Sequence, residues 1–180
     1  MRIALFGGSF DPPHLGHVLA AVMARSRAGV DAVWVLPVAR HPYAKPLTPW
    51  QQRWDLCQAA FAPLGDWVTV RDDELRNPSG FTFDLVSGIA AANPGHQWHL
   101  IGGSDTAADM PNWHRGRELA QLIEVIAVPR RGQGGDADEM AIPAISSSRI
   151  RADLAAGRDV EHLVPAAVGA LIRHHHWYGA

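Results

Sequence analysis

Apolar residues fall in two rhythms along this chain, and their alternation is its main structural signal. Short continuous runs at Ile3–Phe6, Ala32–Val38, Trp67–Val70, Trp98–Ile101 and Leu122–Val128 read as buried strands. Between them the spacing changes to three and four. Leu15, Val18, Leu19, Val22 and Met23 mark one face of a helix over 15–27. Thr48-Pro49-Trp50-Gln51 reads as a helix start, with Thr48 as the cap, Pro49 in the first position and Gln51 completing a capping box. That helix is expected to run to about Phe61. Thr82 is expected to cap a helix through Ala92, closed by Asn93-Pro94-Gly95. Ser146 or Ser147 opens a further helix through Ala156, stopped by Gly157. Pro165 opens the last, which takes in His174–His176.

Strands alternating with helices predict an α/β fold. It is a Rossmann-like, doubly wound, mostly parallel sheet with helices on both faces, in one domain over 1–180. Ligands in such folds collect at the carboxyl ends of strands, where the strand order reverses. Gly7-Gly8 after the first strand and Gly102-Gly103 after the fourth fall at such ends. The segment Arg130–Glu139, rich in glycine and charge, reads as a mobile loop.

Composition narrows the function classes. The balance of 47% hydrophobic and 19% charged residues is that of a globular chain. A formal charge of −2 offers no broad positive field for nucleic acid or a membrane surface, so any phosphate site must be local. No apolar run approaches the roughly 20 residues of a membrane helix. The single cysteine, Cys57, excludes an internal disulfide and fits a cytoplasmic protein. It reads as a small core residue.

The stretch Gly7-Gly8-Ser9-Phe10-Asp11-Pro12-Pro13-His14-Leu15-Gly16-His17 carries the chemistry. Paired glycines allow a sharp turn and close approach to a phosphate. The following helix directs free N–H groups and its positive dipole end into the same space. His14 and His17, three apart, project from one face of its first turn. Gly16 between them leaves room for a base or ribose. The spacing matches neither the dinucleotide fingerprint nor a P-loop. Further along, Ser146-Ser147-Ser148 with Arg151 stands before a helix, where hydroxyls, N–H groups and a guanidinium can cradle an anion.

GGSFDPPHLGH resembles the His-x-Gly-His signature of the nucleotidyltransferases, and ISSSRIR resembles that superfamily's Ile-Ser-x-Thr-x-x-Arg segment, with Ser148 in the threonine position. GFTFD (80–84) and IGGSD with PNW (101–113) resemble segments of the bacterial nicotinate-mononucleotide adenylyltransferases. The second carries one extra residue, Gly103 or Ser104. The resemblance spans nearly the whole chain. It implies ATP binding by Gly7, Gly8, Ser9, Phe10, His14, Gly16, His17, Gly102, Asp105, Ser147, Ser148 and Arg151, with His14 and His17 catalytic. It implies nicotinate mononucleotide binding by Lys45, Thr82, Asp84 and Trp113. Asp84 reads equally as a carboxylate in a helix first turn. The implied reaction moves AMP from ATP to nicotinate mononucleotide, releasing pyrophosphate, with Mg2+ arriving on ATP. Phosphopantetheine, nicotinamide mononucleotide, or nucleotide binding without catalysis are the alternatives, and a homo-oligomer is left open. Asp72-Asp73-Glu74 could form a magnesium ligand set but is expected to be a solvated turn, and Arg130-Arg131 either a triphosphate contact or solvated. No histidine or cysteine spacing suggests a structural metal site.

Overall fold

A computed structural model of the chain describes residues 1–43, 46–103, 105–129 and 141–180. Five strands form one parallel sheet: β1 (Arg2–Gly8), β2 (Ala32–Pro37), β3 (Val68–Val70), β4 (Gln97–Gly102) and β5 (Ile123–Ala127). Their order across the sheet is β3-β2-β1-β4-β5. From β1 the chain winds outward to β2 and β3, then returns past β1 to place β4 on its other side. The order therefore reverses between β1 and β4, and a crevice opens beyond their carboxyl ends. Pro37 closes β2 opposite Gly8, where its missing N–H costs no ladder bond.

Helices cover both faces, as expected. The period of two along β1 divides the core. Ala4 and Phe6 face α1 (Leu15–Ala28), α2 (Trp50–Phe61), α6 (Ser147–Ala155) and α7 (Ala166–His175). Ile3 and Leu5 face α3 (Thr82–Ala92) and α5 (Gly116–Leu122). α5 and the short α4 (Thr106–Asp109) had no counterpart in the sequence reading, and Leu122, expected to begin a strand, ends α5. Cys57 is fully buried on α2. Burial pushes its thiol pKa up, which makes it inert packing.

Four local expectations are corrected. α1 buries Gly16, Ala20, Ala21, Met23 and Ala24, while Leu19 and Val22 are 42% and 39% exposed. The buried side is built of small residues that bring the helix close to the sheet, so counting large apolar residues misplaces the face. The Thr48 capping box does not form: its hydroxyl and N–H both donate to Asp11, while Gln51 pairs with Asp55. Thr82 is the first residue of α3, and Phe81 occupies the cap position. Gly7 and Gly8 continue β1, paired with Leu36 and Pro37, and neither has a positive φ. The chain turns instead at Phe10, whose φ is 47°. Gly8 is needed for a different reason. A Cβ there would lie 3.1 Å from the Phe10 ring that folds back over it.

Candidate active site

Residues 9–14 cross from β1 to α1 over the reversal point, and four distant parts of the chain hold them. Arg53 of α2, 1% exposed, donates from Nη1 to Ser9 O (3.0 Å) and Val38 O (2.7 Å), and from Nε to Thr48 O (3.0 Å). Burial pulls its guanidinium pKa down, and the nearby Asp11 opposes that. Asp11, 3% exposed, accepts from Thr48 and from the Tyr178 hydroxyl (2.9 Å). From α6, Arg151 donates to Asp11 O and Ser147 donates to Pro12 O (2.9 Å). The buried charges are thus hydrogen-bonded throughout, as burial requires.

This anchoring fixes the two imidazoles. His14 sits in extended conformation immediately before α1, and its ring stacks on His17 at 3.7 Å between centroids. The His14 backbone N–H donates to His17 Nδ1 at 3.1 Å. That bond needs an unprotonated Nδ1, so in neutral His17 the ring proton sits on Nε2, which is then a donor. Phe10, whose backbone is left-handed, packs edge-on against His17 at 4.9 Å. A Cβ on Gly16 would meet His14 at 3.0 Å and Ile142 at 3.3 Å, while its backbone borders open space. Gly16 thus makes room for His14 as well as bordering the site.

Two hollows meet at this pair. A cavity of about 530 Å3 runs from Gly7, Gly8, His14 and His17 past Gly102, Gly103 and Thr106 to Gly80, Phe81, Thr82 and Trp113. A smaller polar hollow of about 230 Å3 is lined by Ser9, Phe10, Asp11, His14, His17, Ser147, Ser148 and Arg151. Such a size and mix of apolar wall with convergent polar groups suits a small-molecule site.

The cytidylyltransferase-like family model matches residues 5–153. A probable nicotinate-nucleotide adenylyltransferase of Anaeromyxobacter sp. strain K is 42% identical over 170 residues, covering 93% of this chain and 91% of that protein. One of Myxococcus xanthus is 35% identical, covering 99% and 95%. The chain belongs to the nicotinate-nucleotide adenylyltransferase family. A solved Plasmodium falciparum nicotinic acid mononucleotide adenylyltransferase, complexed with NaAD, shares the fold at a TM-score of 0.81. It is 21% identical, and the match covers 99% of this chain and 97% of that one.

Within this adenylyltransferase-family fold, most of the residues singled out from sequence converge. Gly7, Gly8, Ser9, Phe10, His14, Gly16, His17, Gly102, Ser147, Ser148, Arg151, Thr82 and Trp113 line one hollow or both. Asp105 does not line either; it is exposed before α4, and Thr106 lines the large cavity beside it. Asp84 is also exposed. It stands in the first turn of α3, as the helix-start reading has it, accepts from Ser79 Oγ at 2.6 Å, and lines neither hollow. Lys45, Ser104 and Arg130–Glu139 lie outside the described residues.

The structure adds residues that sequence reasoning passed over. Phe81 stacks on His114 at 4.2 Å, joining two segments of the cavity wall. His41 lines the same cavity. Trp113 is steadied by its Nε1–H donating to Asp109 at 2.8 Å. Asp72, solvated as expected, pairs with Arg76, while Asp73, its side chain 13% exposed, pairs with Arg71. Glu74 departs from that expectation: it is 4% exposed and turns into the cavity wall. Only Arg53 left a sequence signal, as a charge amid the apolar positions of α2; its three targets are backbone atoms from separate segments.

Proposed function

We propose that this chain transfers the adenylyl group of ATP to nicotinate mononucleotide, giving nicotinate adenine dinucleotide and pyrophosphate. The observation that carries the reading is the stacked His14–His17 pair at the junction of a polar hollow and a ring-sized cavity. In this reading the triphosphate lies in the polar hollow against Ser147, Ser148, Arg151 and the N-terminus of α1. The adenosine lies along Gly102, and the mononucleotide ring reaches Thr82 and Trp113, whose flat face suits stacking.

The 5′-phosphate oxygen of the mononucleotide attacks the α-phosphorus in line. A new P–O bond forms as the bond to the β-phosphate oxygen breaks, and that bonding pair leaves with pyrophosphate. No protein nucleophile is needed. The chain positions two anions and offsets charge on the leaving group. His17 Nε2–H is oriented as a donor by the bond at its other nitrogen. Mg2+, a hard cation suited to phosphate oxygens, would arrive with ATP and offset phosphate charge there. Among the described residues no group of three His, Cys, Asp or Glu side chains is placed to hold a metal.

The test is pyrophosphate release from Mg-ATP with nicotinate mononucleotide, nicotinamide mononucleotide or phosphopantetheine supplied separately. The expected result is a strong preference for the first. Preference for either other acceptor would overturn the substrate reading, and silence with all three would overturn the activity.

A further inference from the structure

The transfer chemistry leaves Glu74 without a role, yet its placement is specific. It stands on a 3-10 turn, Asp73–Arg76, that follows β3. Its neighbours Asp72 and Asp73 turn to arginines, while Glu74 turns inward, 4% exposed, to line the large cavity. Oε2 accepts from Asn77 Nδ2 at 3.1 Å, and the same Nδ2 reaches Phe81 O at 3.3 Å. The shared amide puts the carboxyl beside the Gly80–Thr82 wall, at the end of the cavity assigned to the pyridine ring. Among the described residues no other hydrogen bond reaches it.

The surrounding charges do not balance it. α2 contributes Arg53, whose guanidinium is committed to three carbonyls, and the turn itself contributes Asp73. On α3, Asp84 is exposed and held by Ser79. β2 has no ionisable side chain. His41 and His114 line the same cavity. Burial pushes the Glu74 carboxyl pKa up to about 7, against the pull of Asn77 and Arg53. A second carboxylate brought beside such a group raises its affinity for protons further, because two like charges at close range share one proton.

We propose that Glu74 contacts the ring substituent of the acceptor: when a mononucleotide bearing a ring carboxylate binds, Glu74 takes up a proton from solvent and donates it in a hydrogen bond to that carboxylate. A ring amide meets the same group without proton uptake, because its N–H donates to the ionised form and its C=O accepts from the protonated one. The inference rests on the acceptor reading above.

Isothermal titration of the full chain with nicotinate mononucleotide and with nicotinamide mononucleotide tests it, each in two buffers of different ionisation enthalpy. Taking the difference between the two ligands cancels protons exchanged at the phosphate they share. At pH 8 nicotinate mononucleotide should take up about one proton more than nicotinamide mononucleotide, and at pH 5, where Glu74 already carries its proton, the difference should vanish. Glu74→Gln should bind both ligands with no difference at either pH. Equal proton counts for the two ligands in the wild type, at both pH values, would overturn the proposal while leaving the acceptor reading standing. A difference that persists undiminished in Glu74→Gln would do the same. Failure of the wild type to bind either mononucleotide would remove the acceptor reading, and this proposal with it. The wild-type pH pair alone decides the matter if the variant does not fold.

Discussion

Replacing Arg53 with Met should damage stability and turnover together, although Arg53 lines neither hollow. The side chain is 1% exposed and donates to carbonyls of Ser9, Val38 and Thr48. Methionine fills much of the volume and donates nothing. Each hydrogen bond to a charged group is worth about 1.5–3 kcal/mol, but three on one side chain do not add. Removing one member of a buried charged network costs about 3–5 kcal/mol, which is the better guide here. Asp11 would then lie buried without its positive neighbour. For a chain of this length that corresponds to a fall in Tm of roughly 6–20 °C. Turnover should fall because Ser9 begins the segment that carries His14, and misplacement by 1 Å can cost about 10²-fold. Arg53→Lys keeps the charge but not the planar fork, so it should recover stability only in part. Urea melts followed by circular dichroism, with kcat for pyrophosphate release at saturating Mg-ATP and nicotinate mononucleotide, measure both effects. If Arg53→Met melts within about 1 kcal/mol of wild type and keeps at least half its kcat, the role given to Arg53 is wrong.

Two further outcomes are expected. His17→Ala should lower kcat by about 10²–10³-fold with a native circular dichroism spectrum, and a variant retaining half the wild-type rate would exclude the phosphate role. Glu74→Gln should become more stable than wild type as pH rises. The folded carboxyl titrates near 7 against an ordinary value of 4.5, so ionising it costs the folded state progressively between those values and fully above 7. The gap in urea melts should be close to nothing at pH 4.5 and reach at most about 3 kcal/mol at pH 8. A gap that is constant with pH would contradict the burial of that charge.

What the sequence revealed and what it hid divide along physical lines. Apolar runs such as Ile3–Phe6 announced the sheet because both faces of these strands are buried. The His14–His17 spacing announced the site because both residues belong to one helical turn. Local side-chain rules failed where tertiary partners outbid them. Thr48 carries every mark of a helix cap, yet Asp11, 37 positions away, claims both its hydroxyl and its N–H. Glu74 is indistinguishable in composition from Asp72 and Asp73, and only the path of the turn separates the inward carboxyl from the outward ones. α5 escaped because Gly116 opens it. A Cβ on Gly116 would overlap the Met110 carbonyl, so the glycine marks close packing rather than a loop.

The fastenings of residues 9–12 share a further property. Arg53, Arg151 and Ser147 all grip carbonyl oxygens, of Ser9, Asp11 and Pro12, and only Asp11 is also held through its side chain. Every residue type presents the same carbonyl. Random variation at Ser9 would therefore leave these three grips in place, while variation at Arg53 or Arg151 would not. In a mutational scan, tolerance near the site should follow which partner supplies the donor, so that helix residues remote in sequence prove less replaceable than some residues of the segment they hold.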